Sequence, residues 1–158
     1  MPIIAIVGNK GGAGKTTLSV NLAAGISNQS SIAVIYADPQ GSSLQCRAIA
    51  GDNVHFQVYE PNFSLKQQAE SYSSKNDVVL IDCPPSVKSP QSVSVLEFAD
   101  IAIIPVQPSP MDLWATVHIE KAIAEARDTN PELKALLVMH LLKDILLLTQ
   151  SKAIKVCF

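Results

Sequence analysis

Two lysines and two threonines lie in a glycine-rich stretch near the start of the chain, at residues 10–17, Lys-Gly-Gly-Ala-Gly-Lys-Thr-Thr. An apolar run, Ile3–Val7, precedes it, and a segment with helical spacing begins at Lys15. Glycines let successive backbone N–H groups turn toward one anion, and the start of a helix adds partial positive charge. The stretch therefore predicts a phosphate-binding loop in which Lys15 contacts phosphate oxygens and the Thr16 hydroxyl binds Mg²⁺.

The loop departs from the general pattern Gly-x-x-x-x-Gly-Lys-Ser/Thr, because the first glycine of that pattern would fall at Asn9. It follows Lys-Gly-Gly-x-Gly-Lys-Thr-Thr instead, with an additional lysine at Lys10. A glycine-rich turn with incidental lysines is one alternative. A dinucleotide-binding loop is another, since Asp38 stands where a ribose-binding acid would lie, but the third glycine of that fingerprint is absent. The residues predicted to hold the nucleotide are Gly11, Gly12, Ala13, Gly14, Lys15, Thr16 and Thr17.

Two acidic residues, Asp38 and Asp82, directly follow apolar runs that predict buried strands. Ligands of open α/β sheets bind beyond the carboxyl ends of the strands, so both carboxylates are expected near the phosphate loop. There a carboxylate can hold Mg²⁺, directly or through water, or orient an attacking water. The alternative for either residue is a cap at the start of a helix.

The elements that must position these residues alternate along the chain as short apolar runs and helical segments. This alternation predicts an α/β fold, a doubly wound and mostly parallel sheet with helices on both faces. The run 54–59 alternates in polarity and is expected nearer a sheet edge. The predicted strands are Ile3–Val7, Ile32–Ala37, Val54–Tyr59, Val78–Ile81, Ile101–Val106 and Leu133–Val138. The predicted helices are Lys15–Ser27, Ser43–Ala50, Ser64–Tyr72, Pro90–Phe98 and Met111–Arg127, the last ended by Asn130-Pro131.

Composition supports this class. Of the 158 residues, 47% are hydrophobic and 16% charged, as suits a sheet covered on both faces. The net charge of −2 does not indicate a dedicated nucleic-acid module, which is usually strongly basic. The three scattered cysteines indicate no disulfide framework, and from the first residues we expect neither a signal peptide nor a membrane span. We expect a single domain over residues 1–158 and a cytoplasmic location.

With these segments in hand, residues 1–138 resemble the ParA/MinD family of deviant-Walker P-loop ATPases, and most of all its small plasmid-partition ParA members. The resemblance is carried by four segments: Lys10–Thr17, Asp38–Ser42, Asp82–Ser86 and Pro105–Trp114. It implies Mg²⁺-dependent hydrolysis of ATP and an ATP-dependent homodimer that binds DNA without sequence preference. A cognate partner protein would stimulate hydrolysis and so move a cargo.

The resemblance also implies a role for each matching residue. Lys10 would reach across the dimer to the phosphates of the other protomer, as an arginine finger does. Lys15, Thr16 and Thr17 would hold phosphates and Mg²⁺. Asp38 would position or activate the hydrolytic water, and Asp82 would be the Walker B carboxylate near Mg²⁺. Residues near 108–112 would lie at the dimer interface.

The match stops after Val138. Met139-His140-Leu141 stands where the family has an Asn-containing segment that helps bind adenine, and the family's last strands and helix are not found. Residues 139–158 are thus an unmatched tail, for which we hypothesise an altered or shifted-frame ending. Within this tail, residues 141–148 predict a short amphipathic helix.

Three other functions stay open. A MinD-like positioning ATPase would bind a membrane through a basic amphipathic tail, but this tail has few cations, so membrane binding is not expected. A metal-cluster protein of the same superfamily would need paired cysteines, which are absent. A nucleotide-binding remnant without turnover is the third.

Overall fold

The computed structural model describes residues 1–38, 55–62, 64–107, 110–139 and 156–157, with only the backbone of 110–115 and 156–157. Seven strands form one sheet: β1 Ile3–Ile6, β2 Ile32–Tyr36, β3 Gln57–Tyr59, β4 Val78–Asp82, β5 Ile101–Val106, β6 Lys134–Met139 and β7 Val156–Cys157. Four helices lie in the same described ranges: α1 Lys15–Ser27, α2 Leu65–Ser73, α3 Pro90–Leu96 and α4 Pro110–Thr129.

The strand order is β3-β2-β4-β1-β5-β6-β7. All neighbouring strands are parallel except β6 and β7, which are antiparallel. β1 lies at the centre, between β4 and β5. Strands β2, β3 and β4 lie on one side of β1, and the later strands lie on the other. The chain thus changes sides at β1, so a crevice is expected at the carboxyl end of this strand.

Alternate side chains of β1 enter two separate cores. Ile3 and Ala5 pack with residues of α2, α3 and α4, whereas Ile4 and Ile6 pack with residues of α1. Helices therefore cover both faces of the sheet, and the central strands are apolar except for Asp82 at the end of β4. This arrangement confirms the predicted doubly wound α/β fold.

The helix boundaries have local causes. Ser64 and Ser89 cap α2 and α3, their hydroxyls accepting from the backbone N–H of Gln67 and Ser92. Asn130 follows α4, and its amide donates to the carbonyls of Leu96 at 3.0 Å and Ala99 at 2.8 Å, which ties the end of α4 to α3 and the turn after it.

Each predicted element that falls on described residues has a counterpart in the structure, although most bounds differ by one or two residues and β3 begins only at Gln57, so that residues 55 and 56 of the predicted strand are not in the sheet. The bounds of α1 match, and β3 lies beside β2 at the end of the sheet, as the alternating run predicted. Val54, the predicted helix 43–50 and the predicted tail helix 141–148 lie outside the described residues. β7 was not predicted. No helix in the described ranges has the length and apolarity that a bilayer crossing requires.

Candidate phosphate-binding site

The loop between β1 and α1 turns through two left-handed glycines, Gly12 with φ 75° and Gly14 with φ 83°. Gly14 is the N-cap of α1, and no side chain bonds to the start of this helix. Its first turn also contains no acidic residue. No carboxylate of that turn therefore neutralises the partial positive charge of the helix start. This charge stays available to a phosphate, as a phosphate site requires.

Lys15, the first residue of α1, is only 6% exposed. Its ammonium nitrogen donates to the carbonyl oxygen of Lys10 at 3.1 Å, so the side chain lies back along the loop. Burial lowers the pKa of the Lys15 amine below its usual value, and the nearby carboxylates of Asp82 and Asp38 oppose this effect. A buried cation beside a glycine loop is suited to an anionic ligand that would further favour its charged form.

Asp82 ends β4 next to this loop and is 1% exposed. One carboxylate oxygen, Oδ2, accepts from the Thr16 hydroxyl at 2.9 Å. The other, Oδ1, lies 3.2 Å from the Ser19 hydroxyl. Two hydroxyls of α1 thus hold the two oxygens of one buried carboxylate, which sets the orientation of its plane.

Asp38 lies two residues beyond the end of β2 and is half-buried. The backbone there is fixed to β4, because the N–H of Ala37 donates to the carbonyl of Asp82 at 2.8 Å. The Asp38 carboxylate is near enough to Lys15 to raise the pKa of its amine. A groove lined on one side by Asp38 also runs between the ends of β2 and β3 and the starts of α2 and α3.

The remaining predicted residues are spread along the loop. Lys10, Gly11 and Thr17 are exposed, whereas Ala13 is buried. Residues 108 and 109 lie outside the described residues, as do the side chains of 110–112, so the predicted interface segment cannot be placed. Among the described residues, no three His, Cys, Asp or Glu side chains are grouped as a metal site.

Three residues of the site were missed by the sequence analysis. Ser19 contacts Asp82, as described above. The Gln107 amide, just past β5, donates to the Gly12 carbonyl at 3.3 Å. A Cβ on Gly8 would lie 3.3 Å from Cδ of Lys15, so a side chain there would press on the lysine. Only Ser19 had a usable signal, since it lies three residues after Thr16 and so on the same face of α1.

Cys83 follows Asp82 and is fully buried. Burial is the main cause that raises the pKa of its thiol, and the negative charge of Asp82 adds to this effect. The thiol is therefore neutral at physiological pH and contributes no nucleophile to the site.

Comparison with known proteins agrees with this geometry. A family model described as an AAA domain matches residues 1–62 and 55–135. The chain is 36% identical over 140 residues to maintenance of carboxysome distribution protein A of Halothiobacillus neapolitanus, covering 87% of this chain and 65% of that protein. It is 25% identical over 175 residues to chromosome partitioning protein ParA of Myxococcus xanthus, covering 84% of this chain and 62% of that one.

Among solved structures, cobyrinic acid a,c-diamide synthase of Mycobacterium smegmatis with bound ADP and magnesium has the same fold. The TM-score is 0.76 at 21% identity, over 88% of this chain and 74% of that one.

The fold and the loop define a P-loop nucleotide-binding protein. Since the family model covers most of the chain and the relatives are of the ParA type, the chain belongs to the ParA/MinD family of P-loop ATPases. It spans less than two thirds of the length of either relative.

Proposed function

We propose that this chain binds ATP with Mg²⁺ and hydrolyses it, dimerises in the ATP-bound state, and acts in the positioning or partition of a cargo on DNA. The observation that carries the enzymatic part is the hydroxyl–carboxylate pair of Thr16 and Asp82, 2.9 Å apart beside the buried Lys15. This combination places a cation for phosphate and hard oxygen donors for Mg²⁺ at one helix start.

The residues present fit both groups. The glycine conformations and the uncapped start of α1 suit the β- and γ-phosphates, with Gly11, Gly12, Ala13, Gly14 and Thr17 lining the loop. Thr16, Asp38 and Asp82 supply oxygen ligands for Mg²⁺, directly or through water. When bound, Mg²⁺ would supply charge neutralisation at the phosphate oxygens during transfer.

Each charged side chain has a defined task in this proposal. Lys15 holds the phosphates from inside the loop, where low exposure strengthens its electrostatic effect. Asp38 orients the attacking water or accepts its proton, because it lies at the same sheet edge and close to Lys15. Lys10 is exposed, so its side chain can serve the phosphates of a second protomer and couple ATP to dimerisation.

The cellular role extends the family assignment. Two relatives are named for carboxysome distribution and for chromosome partitioning, which supports a role in positioning or partition. The partner protein, and the nonspecific DNA along which the cargo would move, are the parts of this proposal that the resemblance to the family implies. A cytoplasmic, nucleoid-associated location follows from that role.

Dimerisation is tested by measuring the molar mass of the purified chain by light scattering without nucleotide, with ADP and with ATP. We expect a dimer only with ATP, and a monomer in all three states for Lys10→Ala. Lys88→Ala, another exposed lysine, is the control and should dimerise normally. An ATP-independent mass, or normal dimerisation of Lys10→Ala, would contradict the proposed coupling.

DNA binding is tested by adding duplex DNA or anionic lipid vesicles to the ATP form. Binding to DNA that is independent of sequence supports the proposal. Binding to vesicles alone would favour a membrane-based positioning function instead. Binding to neither would refute the proposed DNA binding.

A further inference from the structure

The buried serine Ser19 is a polar residue of the site to which the proposed function gives no task. It lies in the second turn of α1 and has no exposed surface. Its hydroxyl is 2.9 Å from the carbonyl oxygen of Lys15 and 3.2 Å from Oδ1 of Asp82. Bonding to the carbonyl four residues earlier is a common habit of helix serines, but the contact with a carboxylate from another strand is not local.

Two hydroxyls of α1 favour one orientation of the Asp82 carboxylate. Rotation about its last bond would exchange Oδ1 and Oδ2, and the groups that bond to each oxygen oppose it. Thr16 bonds to Oδ2 and Ser19 to Oδ1. If Ser19 were apolar, Oδ1 would lose this donor in a place that water reaches poorly, since Asp82 is 1% exposed.

The same hydroxyl joins two functional residues. Ser19 has one proton and two acceptors, the carbonyl of Lys15 and the carboxylate of Asp82. It therefore donates to one of them at a time. Rotation about its C–O bond can direct the proton to Asp82 without movement of either β4 or α1.

We propose that Ser19 is a positioning residue, which fixes Asp82 so that Oδ2 and the Thr16 hydroxyl together face the Mg²⁺ ion. The inference rests on the proposed Mg²⁺-nucleotide site. It predicts that loss of the Ser19 hydroxyl weakens the contribution of Mg²⁺ to nucleotide affinity and leaves the affinity without metal unchanged.

The test is titration of a fluorescent ATP analogue into the full chain, in EDTA and over a series of Mg²⁺ concentrations. For Ser19→Ala, we expect the Mg²⁺ concentration at half-maximal binding to rise about tenfold, the effect of losing one hydrogen bond to a charged group. The affinity of Ser19→Ala in EDTA should stay within about twofold of that of the original chain. Ser19→Cys has a weaker donor of similar size, so its Mg²⁺ requirement should lie between those of the original chain and Ser19→Ala.

Ser27→Ala is the matched control. Ser27 lies on the same helix, and its hydroxyl lies 2.9 Å from the carbonyl oxygen of Ala24, a contact like that of Ser19 with Lys15, but it bonds to no carboxylate among the described residues. This variant removes an intrahelical bond of the same kind, and we expect no change in the Mg²⁺ requirement. An equal change in the Mg²⁺ requirement of both variants would overturn the inference, because loss of a hydrogen bond within α1 would then explain the effect.

The outcomes separate the two proposals. If the original chain gains affinity with Mg²⁺ and Ser19→Ala gains as much, only the role of Ser19 is refuted. If the original chain binds the analogue equally with and without Mg²⁺, the proposed Mg²⁺ site fails and the role of Ser19 fails with it. If Ser19→Ala does not fold, Ser19→Cys decides: a normal Mg²⁺ requirement refutes the role, and a raised one supports it.

Discussion

Asp82→Asn isolates the charge of the carboxylate at the end of β4, because asparagine has nearly the same shape. The carboxylate offers one oxygen to Thr16 at 2.9 Å and the other to Ser19 at 3.2 Å. An amide has a single oxygen, so one of the two hydroxyls must face an NH₂ group. The variant therefore replaces hydrogen bonds to a charged acceptor with weaker bonds to a neutral amide, and it removes a negative charge beside Lys15.

The magnitude follows from these contacts. One hydrogen bond to a charged group contributes about 1.5–3 kcal/mol, which corresponds to a loss of about 10- to 100-fold in Mg²⁺-dependent nucleotide affinity. The free energy of unfolding should fall less, by about 1 kcal/mol, because removing a buried charge also removes its desolvation cost. The variant is thus expected to lose function while staying folded.

The assay is the same titration with a fluorescent ATP analogue in Mg²⁺ and in EDTA, combined with urea unfolding. Asp77→Asn is the control, since Asp77 stands just before the same strand and accepts from the hydroxyl of Ser31 at 2.7 Å and from its N–H at 2.9 Å. It should leave nucleotide binding unchanged. The reasoning is refuted if Asp82→Asn keeps the full Mg²⁺-dependent gain in affinity, or if Asp77→Asn loses it equally.

Three further predictions concern the loop, the pH dependence and the packing of the helices. Gly14→Ala should lower nucleotide affinity and cost about 1–2 kcal/mol of stability, because Gly14 has a φ of 83°; unaffected binding would contradict the role of this left-handed turn. Hydrogen bonds from the side chain and backbone of Ser31 lower the pKa of Asp77 below its usual range, so its stabilising contribution is present above the unfolded-state pKa and is lost as the pH falls through the lower folded-state pKa. In urea unfolding, Asp77→Asn should therefore lose less stability below about pH 4 than the original chain. Identical pH profiles would show that Asp77 does not contribute to the acid dependence of stability. Asn130→Ala should destabilise the chain by about 1–3 kcal/mol, since the carbonyls of Leu96 and Ala99 lose a donor; thermal unfolding measures this, and an unchanged Tm would show that water replaces the amide.

The sheet and α1 could be predicted because their determinants are local. β1, β4 and β5 are covered on both faces, so they read as short continuous apolar runs between polar segments. The start of α1 could be placed because the glycine loop and the lysine that follows it have a fixed relation to the helix.

The contacts that order the site could not be predicted, because they join distant parts of the chain. Ser19 and Asp82 are 63 residues apart, and Gln107 and Gly12 are 95 apart. A serine in a helix is neutral by propensity, so its type does not reveal a carboxylate partner on another element. β7 has only two residues, and its place in the sheet is set by pairing with β6.

Hydrolysis of ATP tests the central claim most directly. Phosphate release by the purified chain is measured with Mg²⁺-ATP, with and without nonspecific duplex DNA, beside Lys15→Ala and the exposed-lysine control Lys88→Ala. We predict slow turnover that rises with DNA, is retained in Lys88→Ala and is lost in Lys15→Ala. A folded chain that binds no ATP and releases no phosphate, or turnover that persists in Lys15→Ala, would contradict the assignment of this loop as an ATPase site.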